Sequence, residues 1–344
     1  MSKCGFSCLM ILAAVLCAVS ACATPAAAPV QPVQQPAQSQ PSVPSQGVAG
    51  PATINAEMWL QVTDNSSSVL EGPAFDRDGN LYFVDVSGRG RVYKADPSTK
   101  AFKLIYEDGK SNFAAAKIHK DGRIFLCGYL DNNIVIMNAD GKILKEIKPV
   151  YKEQKLLPDD MVFDSNGNFY FTSYDKPAAS GGVYRMSADL SDLSQVVGNL
   201  DRPNGIAMSP DGKQIWVSET IKRVVHRYDL ESDGTVKTDD PNKSKVFGIP
   251  STESGYPDSN QTDSAGNLYQ PMWGGARVVV FNSQGDHVAT VRLPESDKSR
   301  FTGTVNLAFS PGSDLAYLMT SGGGGGRIYT FKGLAKGNVL YSHQ

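Results

Sequence analysis

Four oxygen-bearing side chains recur at one position of a repeated sequence pattern. Each lies eight residues before a turn glycine: Glu71, Asp159, Asn204 and Asp258. Carboxylate and amide oxygens are the ligands that hard divalent cations prefer. Since three carboxylates brought together would repel one another, the spacing predicts a site for one divalent cation. Ca²⁺ fits this ligand set best, with Mg²⁺, Mn²⁺ or Zn²⁺ as alternatives; zinc is less favoured because the set has no His or Cys.

A competing interpretation treats these residues as polar strand ends that hydrogen-bond neighbouring loops. One such residue would carry little information. Four residues at one offset in one register favour the cation site over the hydrogen-bonding interpretation.

The pattern that carries these residues occurs six times, and we number its copies repeats 1 to 6. Five of the turn glycines are separated by 43, 45, 45 and 54 residues: Gly79, Gly122, Gly167, Gly212 and Gly266. In repeat 6, Ser313 stands where the glycine would be. Each repeat reads as a hairpin of alternating apolar residues, followed by a third strand and a fainter fourth.

Four short strands in about 45 residues are typical of a propeller blade. The sequence therefore predicts an all-β, six-bladed β-propeller over residues 53–344, with the strand around 58–64 completing the last blade. No amphipathic helix alternates with the strands, which excludes a doubly wound α/β fold, and a β-sandwich would not produce this regular period.

Equivalent positions of a propeller lie at equivalent heights, so the four side chains should meet at one end of the central channel. Each marks the start of the innermost strand of its blade. Repeat 2 contributes Ala114 to the same level, and repeat 6 a position near Thr304. Asp160, the neighbour of Asp159, should point the other way because side chains alternate along a strand.

The first 52 residues are predicted to lie outside the propeller. Lys3 and the apolar run that follows it indicate a signal peptide over residues 1–21. The apolar run is too short to form a membrane-spanning helix. "VSAC" at 19–22 resembles a lipobox, which predicts lipidation of Cys22; an ordinary signal peptide is the alternative, since "ACA" at 21–23 also suits cleavage. Residues 22–52 are rich in Pro, Ala, Gln and Ser, which predicts an extended, disordered tether.

These features predict an exported lipoprotein anchored to the cell envelope. Ala23 after the cysteine favours the periplasmic side of the outer membrane; without the anchor the protein would be periplasmic or secreted. The net charge of −2 indicates no nucleic-acid partner, and we expect a monomer.

Two further motifs have plain structural interpretations. "SGGGGGR" at 321–327 lacks the Gly-Lys-Ser/Thr ending of a phosphate loop and should be a hairpin. Cys127 is the one cysteine after the tether, and its strand setting predicts a buried, inert thiol.

From Leu70 to about Gly337 the chain resembles the senescence-marker/gluconolactonase/luciferin-regenerating family. The resemblance rests on "LEGPAFDRDG", "AAKIHKDGR", "DDMVFDSNGNFYFT", "GGVY", "NGIAMS", "WVSET", "PDS" and "RVVVFN". It is strongest to a calcium-dependent, drug-responsive lactonase branch of that family. The resemblance implies a six-bladed propeller with a catalytic ion at Glu71, Asn204 and Asp258, joined by Asp159 in the lactonase branch. It also implies that Asp258 doubles as general acid and base.

Two departures from the family pattern shape the expectations. The lactonase branch carries a second calcium near the loop before "DDM", but here that loop contains Lys152 and Lys155, so we expect one ion. Tyr256 replaces a smaller residue before "PDS", which predicts a different pocket wall. Ser259 is expected to orient Asp258 or to line the pocket.

The function predicted from these residues is metal-dependent hydrolysis of a small-molecule lactone, with the ion polarising the carbonyl and Asp258 moving the proton. The first alternative is a non-enzymatic envelope propeller that binds a ligand or a protein around a structural ion. The second is a relative of strictosidine synthase, suggested by "WVSET" and "HRYDL".

Overall fold

A computed structural model describes residues 50–174, 181–238 and 243–344. The predicted signal peptide, Cys22 and the tether up to residue 49 lie outside the described residues. The described part of the chain forms 28 strands and a 3-10 helix at Tyr341–His343, and β1 begins at Ala52. Within these ranges, no helix has the length and apolar character needed to cross a membrane.

Repeats 1 to 4 each form a separate antiparallel sheet of four strands. Two strands precede them, β1 (Ala52–Asn55) and β2 (Glu57–Thr63). The strands of repeats 1 and 2 are β3 (Leu70–Phe75), β4 (Leu81–Asp85), β5 (Arg91–Ala95), β6 (Phe102–Tyr106), β7 (Phe113–Ile118), β8 (Ile124–Gly128), β9 (Asn133–Met137) and β10 (Ile143–Ile147). A short hairpin follows, formed by β11 (Val150–Tyr151) and β12 (Gln154–Lys155). The strands of repeats 3 and 4 are β13 (Pro158–Phe163), β14 (Phe169–Ser173), β15 (Gly181–Met186), β16 (Leu193–Leu200), β17 (Pro203–Met208), β18 (Gln214–Glu219), β19 (Val224–Asp229) and β20 (Lys245–Gly248).

Repeats 5 and 6 share one ten-stranded sheet instead of forming two separate sheets. The strands are β21 (Tyr256–Pro257), β22 (Gln261–Thr262), β23 (Leu268–Trp273), β24 (Arg277–Phe281), β25 (His287–Arg292), β26 (Gly303–Phe309), β27 (Leu315–Ser321) and β28 (Gly326–Lys332), together with β1 and β2. A single pairing, Trp273 with Gly303, joins the two halves. A Cβ on Gly303 would lie 2.8 Å from the Trp273 ring, so glycine permits this close approach.

The first strands of the repeats contact one another in a closed cycle, β3 to β7, β13, β17, β22, β26 and back to β3. The arrangement is therefore propeller-like. The N-terminal strands complete its last two repeats: β1 pairs with β25 in parallel, and β2 pairs with β28 in antiparallel orientation. The closing strand predicted for 58–64 is confirmed.

The hairpin turns explain the glycine spacing. The five turn glycines have φ between 69° and 88°, the left-handed region that glycine adopts at low cost. In repeat 6 the positive φ has moved to Gly312, at 70°, while the Ser313 N–H donates to Ser310 O as the Gly212 N–H donates to Ser209 O. Ser313 thus holds the place of the turn glycine, as predicted.

The C-terminal segment closes the channel at the end where the first strands of the repeats finish. Asn338 Nδ2 donates to Met208 O at 3.3 Å, and His343 Nε2 lies 3.2 Å from Phe75 O. Between them, the Tyr341 ring packs edge-on against His119 at 4.9 Å between ring centroids. The segment passes under several repeats, so the channel is covered at the ends of the first strands and open at their starts.

Candidate active site

The four predicted residues line one cavity of about 440 Å³ at the start of the first strands. Glu71 lies in β3, Asp159 in β13 and Asn204 in β17, while Asp258 directly follows β21. We call these four residues the ring. Ala114 of repeat 2 lines the same cavity, as the register predicts.

In repeat 6 the residue at this level lies next to Thr304, close to the expected position. Val305 lines the cavity, while the Thr304 hydroxyl lies within hydrogen-bonding distance of Met272 O, at 2.8 Å, and of Arg277 O, at 2.7 Å. The reason is the turn: eight residues before Ser313, which holds the place of the turn glycine, is Val305.

Each ring position of the first strands coincides with a break in strand register. The pairing shifts between Glu71 and Ala74, and similarly around Asp159 and Asn204. A local bulge re-aims the side chains beside it, and here it turns the strand starts toward the channel. Within this bulge, Gly72 has φ of 54°, which glycine adopts at low cost. A Cβ at this position would lie 2.3 Å from Ala116 N, so glycine also permits the close approach of repeat 2.

The ring carboxylates are buried: the exposed fraction is 5% for Glu71, 5% for Asp159 and 8% for Asp258. Burial raises the pKa of Glu71 and Asp159 well above the ordinary value, and the charge of Asp258 raises both further. Burial also raises the pKa of Asp258 to about 7, although hydrogen bonds from the Ser259 main chain and the Asn204 side chain oppose it. In the cation-free protein these acids therefore resist ionisation.

Neighbouring residues supply hydrogen bonds, but the described lining of the cavity supplies no cationic side chain. Asn306 Nδ2 donates to Glu71 Oε2 at 2.9 Å, and the Gly72 N–H donates to the same oxygen at 2.7 Å. None of the described residues that line the cavity is a lysine, an arginine or a histidine. Asp159 Oδ2 and Asn204 Oδ1 are buried, and within the described ranges neither oxygen has a hydrogen-bond partner.

Asp160, the neighbour of Asp159, does have a cationic partner. Its carboxylate points away from the cavity, as strand alternation predicts, and lies 3.0 Å from Lys117 Nζ. The Met161 N–H and the Ile206 N–H also donate to it. Lys117 forms an ion pair with Asp160 within the channel wall, whereas no described residue of the cavity lining gives the ring acids such a partner.

The ring fits a hard divalent cation by its donor chemistry. Three carboxylates and an amide oxygen face one cavity, and two of their buried oxygens are without partners among the described residues. In residues 50–174, 181–238 and 243–344, no group of three or more His, Cys, Asp or Glu side chains forms a ready-made metal cluster. The donor types and the buried oxygens without partners among the described residues, not a preformed cluster, indicate the cation.

Comparisons with known proteins identify the family. The SMP-30/gluconolactonase/LRE-like region matches residues 69–320. Lactonase drp35 of Staphylococcus haemolyticus (strain JCSC1435) is 37% identical over 322 residues, covering 89% of this chain and 96% of that protein. Lactonase drp35 of Staphylococcus aureus (strain USA300) is 37% identical over 321 residues, with the same coverage. The chain belongs to this family.

Solved structures show that the family fold extends across the described chain. A luciferin-regenerating enzyme superposes with a TM-score of 0.68 at 22% identity, covering 83% of this chain and 99% of its own. Regucalcin of Agrobacterium tumefaciens, described as a calcium-binding protein, gives a TM-score of 0.67 at 17% identity, covering 84% and 99%. The family resemblance expected from the sequence motifs is confirmed.

The cavity of this family member has an aromatic and aliphatic rim. Tyr129 and Tyr174 pack edge to face at 5.2 Å. Tyr256 pairs across strands with Trp273, and Ile221 also lines the cavity. Tyr256 thus forms part of the cavity wall, while Tyr129, Tyr174, Trp273 and Ile221 were missed because each looks like an ordinary strand end.

Ser259 contacts the site through its main chain. Its N–H donates to Asp258 Oδ1 at 3.1 Å, and the residue does not line the cavity. Sequence reasoning also missed Asn306, which holds Glu71 from repeat 6. Its position one residue after Val305 matches that of Asp160 after Asp159, so the corrected register would have found it.

The loop expected to lack a second calcium site is a tight hairpin. Lys152 and Glu153 have positive φ between β11 and β12, and both are exposed. Lys152 Nζ lies 5.1 Å from the centre of the Tyr151 ring. The presence of a single ion stays a prediction.

Proposed function

We propose that this protein is a metal-dependent hydrolase that opens lactone rings. The observation that carries the proposal is the ring: three buried carboxylates face one cavity whose described lining provides no cation. Membership of the gluconolactonase-like family and the lactonase relatives support the choice of substrate class.

We further infer that the fold is a six-bladed propeller. Four sheets correspond to one repeat each, and the ten-stranded sheet divides at the Trp273–Gly303 pairing into two halves built on β23 to β25 and β26 to β28. The closed cycle of six first strands supports this count.

Glu71, Asp159, Asn204 and Asp258 would hold the ion. Ca²⁺ fits this ligand set best. When bound, a divalent cation would polarise the lactone carbonyl and increase the acidity of a water molecule. Glu71 and Asp159 would offset its charge, and the neutral amide of Asn204 would leave part of that charge for the substrate.

Asp258 is the proton carrier in this proposal. As the water oxygen attacks the lactone carbonyl carbon, Asp258 accepts the proton of that water. When the bond between the carbonyl carbon and the ring oxygen breaks, Asp258 returns the proton to the departing oxygen, and the product is a hydroxy acid. The Ser259 N–H and the Asn204 side chain orient the carboxylate for both transfers. Positive charge in the cavity would lower the Asp258 pKa from about 7, so the base would be ionised at neutral pH.

The test is hydrolysis of a lactone panel by the purified protein, first with chelator and then with Ca²⁺, Mg²⁺, Mn²⁺ or Zn²⁺ restored. We expect activity to disappear with chelator and to return with Ca²⁺. Stoichiometric cation binding without turnover of any lactone would favour a binding propeller with a structural ion.

We also propose that the protein is an exported lipoprotein, carried at the cell envelope on Cys22 and acting as a monomer. The lipobox-like "VSAC" and the uncharged tether support the lipid anchor. Replacing Cys22 with Ser should move the protein from the membrane fraction to the soluble fraction. An unchanged membrane fraction would contradict the anchor.

A further inference from the structure

Two buried hydroxyl groups tie the ring residues of neighbouring repeats together. The Ser218 hydroxyl of β18 donates to Asp258 O at 2.8 Å and accepts the Gly205 N–H at 2.8 Å. It therefore joins the residue after Asn204 to Asp258 itself. Neither bond involves the ring side chains, so the hydroxyl acts on the backbone that carries them.

Thr172 makes the corresponding link one repeat earlier. Its hydroxyl, on β14, donates to Asn204 O at 2.5 Å, and it accepts the Asp160 N–H at 3.2 Å. Together, Thr172 and Ser218 form a chain of hydrogen bonds from the Asp159–Asp160 segment through Asn204 to Asp258.

Both hydroxyl groups are buried between closely packed repeats. Thr172 and Ser218 have exposed fractions of 0%. At Gly205, a Cβ would lie 2.6 Å from both Asp258 O and Asn260 N. Repeats 4 and 5 thus approach as closely as the backbone allows at this point, and the hydroxyl fixes that approach.

The distribution of these hydroxyls among the repeats is informative. The equivalent position on the second strand holds Val84 in repeat 1, Cys127 in repeat 2 and Thr320 in repeat 6. Val84 precedes a repeat that contributes only Ala114 to the cavity. Cys127 precedes the repeat of Asp159 without a hydroxyl, and the Thr320 hydroxyl donates to Arg327 O within its own repeat. In repeats 3 and 4 the hydroxyl instead donates to the main chain of Asn204 or Asp258 in the next repeat.

We propose that Ser218 and Thr172 are positioning residues that set the distances between the ligands of repeats 3, 4 and 5. The inference rests on the proposed function, since it assumes that the ring holds a cation. Groups outside the first coordination sphere that orient ligands commonly change metal affinity about 10- to 100-fold when removed. Ser218 has the larger expected effect because its hydroxyl donates to the main chain of Asp258, a carboxylate ligand, whereas the Thr172 hydroxyl donates to the main chain of the neutral Asn204.

The experiment measures Ca²⁺ affinity by calorimetry, and the melting temperature in chelator, for the purified protein and three variants. Ser218→Ala removes the hydroxyl. Ser218→Thr keeps it, and Thr172 shows that threonine is accommodated at this register. Thr320→Val is the matched control: Thr320 is equally buried, but its hydroxyl donates to Arg327 O within repeat 6, at 2.9 Å.

We expect Ser218→Ala to weaken Ca²⁺ binding about 10-fold or more. Ser218→Thr should restore the affinity to within about threefold of the original protein. Thr320→Val should lower the melting temperature while leaving the affinity within about twofold. If Ser218→Ala does not fold, Thr172→Val, which also removes a hydroxyl, replaces it with the same expected direction.

Two results would overturn the inference in distinguishable ways. If the original protein binds Ca²⁺ and Ser218→Ala weakens binding no more than Thr320→Val does, the hydroxyl is structural and only the positioning role fails. If the original protein binds no divalent cation at all, the proposed function fails and the positioning role fails with it.

Discussion

Two buried acidic sites are built in opposite ways: Glu253, beside repeat 5, and the ring, whose carboxylates come from repeats 1, 3 and 5. Glu253 has an exposed fraction of 4%, and its carboxylate lies 2.5 Å from Arg277 Nη1 and 3.4 Å from Arg292 Nη2. The ring carboxylates are as deeply buried but face no cationic side chain in the described lining of the cavity.

The two sites consequently differ in their acidity. Burial alone would raise the pKa of Glu253, but the hydrogen bond and charge of Arg277 bring it below the ordinary value. Burial and mutual repulsion raise the pKa values of the ring acids. A buried acid paired with its own cationic side chain stabilises the fold. A buried acid without such a partner favours binding of a cation from solution.

The largest expected effect is on turnover, at the ring. Asp258→Asn removes the proton acceptor but keeps the shape of the side chain, so lactone hydrolysis should fall about 10³-fold. Steady-state kinetics at saturating Ca²⁺ measures this. The melting temperature in chelator should not fall, and near-normal turnover would show that Asp258 is not the base.

The second prediction uses the opposite pKa shifts of the two sites, since the pKa is lowered at Glu253 and raised at the ring. Glu253→Gln should lower the free energy of unfolding by about 3 kcal/mol, since it leaves Arg277 and Arg292 without their buried partner. Asp159→Asn should instead stabilise the cation-free protein at pH 8, by about 1 kcal/mol, because it removes a repelling charge. Urea unfolding in chelator measures both. Destabilisation of similar size by both changes would remove the distinction between the sites.

The third prediction concerns pH. Between about 3.8 and about 7, Asp258 is protonated in the folded, cation-free protein and ionised in the unfolded chain. The unfolded state then binds fewer protons, so the free energy of unfolding should fall as pH rises through this window. Glu253 has a lowered pKa, so its effect on stability has the opposite sign. It contributes to the free energy of unfolding above its ordinary pKa of 4.5, and this contribution is lost as the pH falls further into acid.

Urea unfolding at several pH values, with chelator and with Ca²⁺, measures this dependence. Saturating Ca²⁺ should abolish the loss of stability between mildly acidic pH and pH 7, because the cation replaces the protons on the ring. A cation-free protein whose stability does not fall across this window would contradict the assigned acidity of the ring.

The smallest expected effect is at Ser259. The contact with Asp258 comes from the Ser259 main chain, so Ser259→Ala should change kcat/KM less than about twofold. The comparison with Asp258→Asn separates backbone from side-chain contributions in adjacent residues. A loss of more than tenfold would assign a role to the Ser259 hydroxyl.

The sequence was sufficient to predict features that depend on local spacing. The turn glycines located the repeats, the offset of eight residues located the four ring residues, and "MWLQVTD" located the closing strand. Each of these follows from the alternation of side chains and from the conformational freedom of glycine at a turn.

Features that depend on contacts between distant segments were not predictable. Lys117 meets Asp160 between repeats, and nothing in the spacing of the repeats pairs these two residues. The Trp273–Gly303 pairing, which fuses two sheets, depends on a glycine that has no turn around it to mark it. Thr172 and Ser218 look like ordinary strand residues, because their partners lie in the next repeat.

The most direct test of the central claim is calorimetric titration of the cation-free protein with Ca²⁺ at pH 6.5, in two buffers of different ionisation enthalpy. Ligand oxygens that bind a cation must lose their protons, so binding to the ring should release protons and the measured heat should depend on the buffer. We predict one Ca²⁺ per chain with measurable proton release. Absence of binding, or binding that releases no protons and is unaffected by Asp159→Asn, would contradict a cation site at the ring.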